Sequence, residues 1–449
     1  MKHLFAILFV FAGFSVQAQD KPNIVMLISD DQSWTDYSFM GHEQIDTPHL
    51  DKLASESVVF RRGYVPTALC RPSLMTMITG LYASQHGVTG NDPSPAVYNQ
   101  SPAANKAARA KLIANIDKVS TVPKLLGAEG YLSHQSGKWW EGNYKRGGFT
   151  HGMTRGFPQP GGRHGDDGLK IGREGLAPVL NFIDDAIEED KPFFVWYATF
   201  MPHTPHTPPA RLFEKYKAMG LDTYVAKYYA MCEWFDETCG EIVDHLDDKG
   251  VRENTLIVYV CDNGWIQQSG KRGYAPRSKQ TPYEGGVRTP IMFSWPGTLK
   301  PADRKELVSS IDLVPTMLAA AGVKAPSNLP GLNLLPNMTQ GKPIKRDTIF
   351  GESFAHDIAN LDNHEDTMLF RWAIRGDWKL LLTYDGVVNR YKTTHPREEK
   401  RPQLFNLKDD PAEATNLAGK NPKVVKELAA ALDDWYEVKQ RKTIKVFTD

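Results

Sequence analysis

Two short apolar runs, residues 24–28 and 256–260, each stop at a pair of oxygen-bearing side chains. The first ends in Ser29-Asp30-Asp31 and the second in Cys261-Asp262-Asn263. Uninterrupted apolar runs of this length suit strands buried on both faces, as in a parallel sheet. In open parallel sheets, ligands bind beyond the carboxyl ends of the strands. The pairs therefore fall where such a fold places its chemistry. Residues 193–200 form a third apolar run, and helical spacing separates the runs: Val179, Leu180, Ile183 and Ile187, then Tyr228, Met231, Phe235, Ile242 and Leu246. The pattern predicts an α/β fold with a large, mostly parallel or mixed sheet flanked by helices. Thr47-Pro48 predicts another helix start, running to about Ser57.

After Gly322 the texture changes. Residues 323–346 carry several prolines and glycines and suit a linker. Two apolar segments then flank Arg375-Gly376-Asp377, a hairpin signal, and a final helix is expected over 422–439. The organisation read from this is a targeting segment at 1–18, a catalytic domain at 19–335 and a smaller C-terminal α+β domain at 336–449. In the targeting segment, Lys2 precedes a short apolar stretch, and Val16-Gln17-Ala18 resembles a cleavage site. That is a cleaved secretory signal, too short to span a bilayer comfortably, so a periplasmic or secreted product without a membrane anchor is expected. The 53 basic residues balance 53 acidic ones, which argues against nucleic acid as the main partner. Four cysteines are too few for a disulfide scaffold, and Cys232 and Cys239 lie too far apart on one helix to pair.

Four hard oxygen ligands from Asp30, Asp31, Asp262 and Asn263 would suit Ca²⁺ or Mg²⁺. Either pair alone is an ordinary strand-ending turn; both together favour a metal. Pro72 just inside a helix and Gly80 just past it place Cys70 at a helix N-terminus. That position favours an anion and would lower a thiol pKa.

The segment Cys70-Arg71-Pro72-Ser73, with Thr79-Gly80, resembles the signature of the formylglycine-dependent sulfatases, the type I family of the alkaline phosphatase superfamily. Five further blocks resemble the same family in order. They are residues 23–31, Ser136-Gly137-Lys138-Trp139, Met201-Pro202-His203-Thr204-Pro205, Val260-Cys261-Asp262-Asn263-Gly264, and the lysine-bearing loop 279–288 with its Tyr283-Glu284-Gly285-Gly286. Residues 403–407, 409–411 and 416–417 look like its C-terminal domain. The resemblance implies an alkaline phosphatase-like fold and hydrolysis of a sulfate ester. It implies that Cys70 is converted to formylglycine by a maturation enzyme and serves as nucleophile. Asp30, Asp31, Asp262 and Asn263 would hold one Ca²⁺, and Lys138 and Lys279 would bind sulfate oxygens. His203 would protonate the leaving alcohol.

Two positions depart from the family pattern. Leu74 stands where the signature has arginine, and Trp140 where a histidine follows Gly-Lys-Trp; an apolar side chain cannot replace a fork of charged donors. Arg71 is expected to reach towards the place the missing arginine would fill. Residues 141–175 form a long Gly-rich stretch placed to border the site. Arg71, Trp140, Arg163 and His164 are the expected substrate-binding residues, with Lys271, Arg272 and Arg277 as a second basic wall and a sulfated saccharide as substrate. The nearest alternative enzyme is a phosphomonoester or phosphonate hydrolase of the same superfamily. A different class is a non-catalytic glycan-binding protein on that scaffold, since sites are grafted on folds.

Overall fold

The computed structural model describes residues 21–384 and 401–439; the expected signal segment lies outside them. Six strands carry the main sheet: β1 (Asn23–Asp30), β2 (Val58–Tyr64), β3 (Leu132–Gly137), β4 (Phe193–Pro202), β5 (Thr255–Cys261) and β6 (Arg288–Ser294). Their spatial order is β2-β6-β5-β1-β4-β3, and short segments at both edges bring the sheet to nine strands. The four strands β5, β1, β4 and β3 run parallel, whereas β6 is antiparallel to both β5 and β2. The sheet is thus mixed, with a parallel centre. Ile24, Met26 and Ile28 point into one apolar core, and Val25 and Leu27 into another on the opposite face. Both faces being covered is why the run shows no polar alternation.

Five helices matter here: α1 (Pro48–Ser55), α2 (Cys70–Thr79), α3 (Ala177–Glu188), α4 (Thr223–Asp248) and α5 (Pro422–Trp435). The residues that predicted α3 and α4 bury their apolar stripes on the Val25 face, except Tyr228, which packs with Ile45, Cys232 and Trp265. Helix α2 lies on the other face and is buried along all ten residues, as expected of a helix without a polar side. Helix α1 stops two residues earlier than expected; Thr47 holds the N-cap position, but its side chain makes no capping bond. Asp236, from α4, accepts the free N–H groups of His49 (3.1 Å) and Leu50 (2.7 Å), while Thr47 donates to Asp51. A tertiary contact supplies the cap that local sequence suggested.

The C-terminal region is a separate antiparallel sheet of β7 (Thr348–Phe354), β8 (Met368–Arg375), β9 (Trp378–Thr383) and β10 (Gln403–Asn406), in that order. Arg375 pairs with Trp378 across the expected hairpin turn. Leu428 and Leu432 of α5 cover Met368, Leu380 and Leu382 on one face, and α5 ends at Trp435. No helix among the described residues is long and apolar enough to cross a membrane.

Candidate active site

Register alone assembles the edge of the sheet. Ser29 pairs with Cys261, Asp30 with Pro202, and Gly137 with Ala198. The next residues on four adjacent parallel strands are therefore Asp30-Asp31, Asp262-Asn263, His203 and Lys138. At φ +84° with Ala198 O in its way, Gly137 cannot carry a side chain: a Cβ would sit 1.7 Å from that oxygen. Its absence lets the Lys138 N–H bond Ala198 O at 2.7 Å. Asp31 turns the chain with φ +65°, a conformation that aspartate tolerates better than most residues. Cys70 arrives as the first residue of α2, and Lys279 on the loop between β5 and β6. That loop reaches the metal-type turn through Gly264, whose N–H bonds Gly286 O at 2.9 Å where a Cβ would strike Gly285 O.

These side chains converge. Lys279 Nζ lies 3.1 Å from Cys70 Sγ and 2.6 and 2.7 Å from the two Asp31 oxygens. Lys138 Nζ lies 2.6 Å from Asp30 Oδ1 and 4.0 Å from Asp262 Oδ2. Cys70 Sγ sits 3.9 Å from both Asp30 and Asp31. Asn263 Nδ2 donates to Asp31 Oδ1 at 2.7 Å. His203 Nε2 is 3.4 Å from Asp31 Oδ2, and its Nδ1 is 2.6 Å from Thr204 O. A carbonyl only accepts, so Nδ1 carries the proton.

The electrostatics of so dry a cluster are severe. Burial raises Asp30 well above the carboxylate range, with Lys138 opposing and Asp262 and Asp31 adding to it. Asp262 is raised in the same way. Burial pulls Lys138 and Lys279 down, but the facing carboxylates and Cys70 outweigh it, so both stay charged. Burial also pushes the Cys70 thiol far up, despite the two lysines. The expected lowering at a helix N-terminus is overridden by desolvation. For His203, burial and then the two lysines hold the imidazole well below its ordinary value.

With all three acids ionised, as a bound cation would hold them, three carboxylates against two ammonium groups leave one excess negative charge. Three buried oxygens, Asp30 Oδ2, Asp262 Oδ2 and Asn263 Oδ1, have no hydrogen-bond partner. Unpaired buried oxygens beside excess negative charge are what a hard cation with oxygen ligands satisfies. Cys70 and His203 also lie within 4.8 Å of the Asp30 and Asp31 oxygens, but sulfur and imidazole suit softer metals. The donor set fits Ca²⁺ on the carboxylate and amide side.

Comparison with known proteins agrees with this geometry. Residues 22–323 match the sulfatase family, and residues 274–440 match the C-terminal region of N-sulphoglucosamine sulphohydrolase. The chain belongs to the sulfatase family. It is a type I sulfatase of the alkaline phosphatase superfamily and a sulfuric ester hydrolase. The sulfatase is 30% identical over 456 residues to N-acetylgalactosamine-6-sulfatase of Canis lupus familiaris, spanning 89% of this chain and 82% of that one. It is 25% identical to the N-acetylgalactosamine-6-O-sulfatase of Bacteroides thetaiotaomicron, over 93% of each chain. Its fold superposes on the crystal structure of Ps i-CgsB with a TM-score of 0.71, 25% identity and 94% of each chain covered.

The other expected substrate residues of the sulfatase are placed less uniformly. Trp140 and Phe200 each present a ring 5.4 Å from Lys138 Nζ. His164 lies 5.5 Å from the Trp140 ring and 5.6 Å from Phe200, which stacks on His203 at 4.5 Å. Burial, Lys138 and Arg163 pull His164 down to about 3, so it is neutral. The guanidinium of Arg71 does not take the place of the missing arginine. Its Nε and Nη2 bind Glu141, both at 2.7 Å, and its Nη1 binds Asn91 O, while Leu74 packs into the core. Arg163 pairs with Asp92 and is partly exposed. Arg277, expected in a basic wall, is exposed and donates to Glu413 O at 2.5 Å. The partners Glu141 and Asp92 and the ring of Phe200 escaped the sequence reading. Glu141 directly follows the Gly-Lys-Trp block, and Phe200 precedes Met-Pro-His, so adjacency to motifs was the available signal.

Proposed function

We propose that this sulfatase is exported and cleaves a sulfate ester on a saccharide, using a formylglycine made from Cys70 and one Ca²⁺ held by Asp30, Asp31, Asp262 and Asn263. The observation that carries the reading is the convergence of both lysines on a cluster that keeps three oxygens unpaired beside Cys70. Oxidised Cys70 would supply a hydrated aldehyde oxygen as nucleophile, a better donor to sulfur than a thiol held protonated by burial. The cation, when bound, would lower the pKa of that oxygen and offset sulfate charge.

The protein's own groups do the rest. Lys138 and Lys279 clamp sulfate oxygens in a water-poor pocket, where fixed cations act strongly on developing charge. With two lysines, three carboxylates and a divalent cation, the site carries one net positive charge, matched to a sulfate monoanion. His203 holds its Nδ1 proton on Thr204 O, so Nε2 must first take up a proton, such as the one the nucleophilic oxygen sheds, before it can pass one to the leaving oxygen as the S–O bond breaks. An arriving anion beside the two lysines offsets the part of the lowering that they cause, burial being the larger part. Trp140, His164 and Arg163 border the saccharide side in this reading. Arg71 acts through Glu141 and Asn91, holding the start of α2. The saccharide assignment draws on the names of the relatives and on this aromatic and basic border. We further infer a division near residue 335 and a signal removed after Ala18.

The test combines mass spectrometry of the Cys70 peptide from native expression with sulfate release from defined sulfated oligosaccharides, aryl sulfate and aryl phosphate. Formylglycine in the peptide and release from an oligosaccharide are expected. Active enzyme carrying only unmodified thiol would overturn the nucleophile, and a wide preference for aryl phosphate would overturn the substrate class.

A further inference from the structure

Beneath the loop that carries Lys279 lies a second buried set of charges that the mechanism does not use. Lys379, on β9 of the C-terminal sheet, is fully buried. Its Nζ lies 3.0 Å from Glu284 Oε1 and 3.0 Å from Glu413 Oε1. Glu284 Oε2 is met by Tyr64 Oη at 3.1 Å and Arg288 at 3.4 Å. Glu413 Oε2 accepts the Glu284 N–H at 2.6 Å. Glu284 stands five residues after Lys279 and opens the turn that closes that loop.

The loop has further ties to the C-terminal sheet and the segment that follows it. Arg277 donates to Glu413 O at 2.5 Å, and Tyr283 Oη donates to Gln403 Oε1 at 2.8 Å. On the other side, Gln280 N–H bonds Ala68 O at 2.8 Å, two residues before Cys70. The segment 277–284 is therefore held between the C-terminal sheet and the approach to the nucleophile, with Lys279 in its middle. A flexible lysine loses much rotamer freedom when fixed, so its placement depends on a stiff loop.

We propose that Lys379 is a positioning residue for catalysis: by bridging Glu284 and Glu413 it fixes the loop that points Lys279 at the nucleophile and the sulfate. The C-terminal sheet thereby becomes a working part of the active site. This rests on the role given above to Lys279. Lys379 touches no reacting atom and acts through Glu284.

The experiment measures kcat and KM for aryl sulfate per formylglycine-containing folded molecule. Four variants are compared: Lys379→Met, the charge-balanced pair Lys379→Gln with Glu413→Gln, Arg277→Met, and Lys279→Ala. Lys279→Ala is expected to lose kcat about 10²–10³-fold, as for a preorganised donor. The balanced pair is expected to lose kcat roughly 10–100-fold, part of that same effect, with KM changed much less. Arg277→Met, at an exposed position that buries no charge, is expected to lose a few-fold in the same sense. A merely structural clamp would lower the yield of folded protein and leave kcat per folded molecule intact. Should Lys379→Met fail to fold, the balanced pair and Arg277→Met decide. If these keep wild-type kcat while Lys279→Ala loses it, the positioning role is overturned. If Lys279→Ala also keeps wild-type kcat, the reading of Lys279 falls first.

Discussion

The cluster around Cys70 and the cluster around Lys379 are equally dry but follow opposite rules. Around Lys379, two carboxylates face two cations, and every carboxylate oxygen has a donor or cation within 3.4 Å, Glu413 Oε1 meeting Lys379 as an ion pair rather than a hydrogen bond. Around Cys70, three carboxylates face two lysines; Asp30 Oδ2 and Asn263 Oδ1 have no hydrogen-bond partner, and Asp262 Oδ2 has only Lys138 at 4.0 Å. A balanced buried network rigidifies, whereas an unbalanced one stores unfavourable energy until a ligand arrives. The difference separates a clamp from a binding site within one interior. It also implies that mutations in the two clusters should pull stability and activity in different directions.

The largest expected effect lies in the unbalanced cluster. Asp262→Asn keeps Oδ1 for the N–H groups of Asp31 and Asn263, but removes a charge that burial already disfavours. Turnover should fall by about 10³-fold, on the scale of several kcal/mol of metal-assisted charge stabilisation, while the melting temperature of the metal-free protein stays level or rises. A clear drop in melting temperature would break the contrast. Lys379→Met should do the reverse in stability. Leaving Glu284 and Glu413 without their shared cation should cost about 3–5 kcal/mol, as for other broken buried pairs, read by urea unfolding. A cost below about 1 kcal/mol, the surface-pair range, would mean that water reaches the cluster.

Removing the cation should sharpen the comparison further. Chelation should abolish turnover and lower stability by about 3 kcal/mol at hundred-fold saturation, and added Ca²⁺ should restore both. Because the clamp needs no ion, Lys379→Met should show the same chelator shift as wild type in calorimetry. A smaller shift would tie the two clusters together energetically.

How much of this was visible in the sequence follows the same line. The strand ends, Cys70, Lys138 and His203 sat in short motifs, because each comes from the residue just past a strand or at the start of a helix, and Lys279 was marked by the Tyr-Glu-Gly-Gly motif that follows it. The register then had to bring them together. The loop ties were not visible, because Lys379 and Glu413 lie some hundred residues from Glu284 and carry no local signal. Arg71 misled for a related reason: a charged residue near a motif suggests a substrate contact, yet a buried guanidinium needs a carboxylate, and Glu141 supplies it. Likewise, Thr47 looked like a cap because the rule is local, whereas Asp236 arrives through tertiary packing.

The smallest expected effect tests whether an unpaired buried oxygen alone marks a site. Glu352, fully buried on β7, accepts the Ser84 N–H at 2.6 Å through Oε1, but its Oε2 has no hydrogen-bond partner. It resembles the acids of the active site in this respect, yet among the described residues no second acid with an unpaired oxygen is paired with it. Burial raises its carboxyl to about 7, with Ser84 and Arg371 opposing. The folded state therefore holds the proton more tightly than the unfolded chain, where glutamate titrates near 4.3. Between those values the folded protein binds more protons, so stability falls as pH rises from about 4 to 7, and the full cost is present above 7. Glu352→Gln keeps Oε1 and removes the charge. It should stabilise the protein by about 2 kcal/mol at pH 8, roughly half the full displacement at 1.36 kcal/mol per pH unit because the amide leaves its own buried donor, and by almost nothing at pH 4. The difference between variant and wild type, followed by urea unfolding across this range, isolates Glu352 from the pH dependence of the metal site. Turnover at pH 8 should be unchanged. A pH-independent difference would mean that Glu352 is ionised throughout and paired in solution, and a loss of turnover would make even a solitary unpaired oxygen part of the working site.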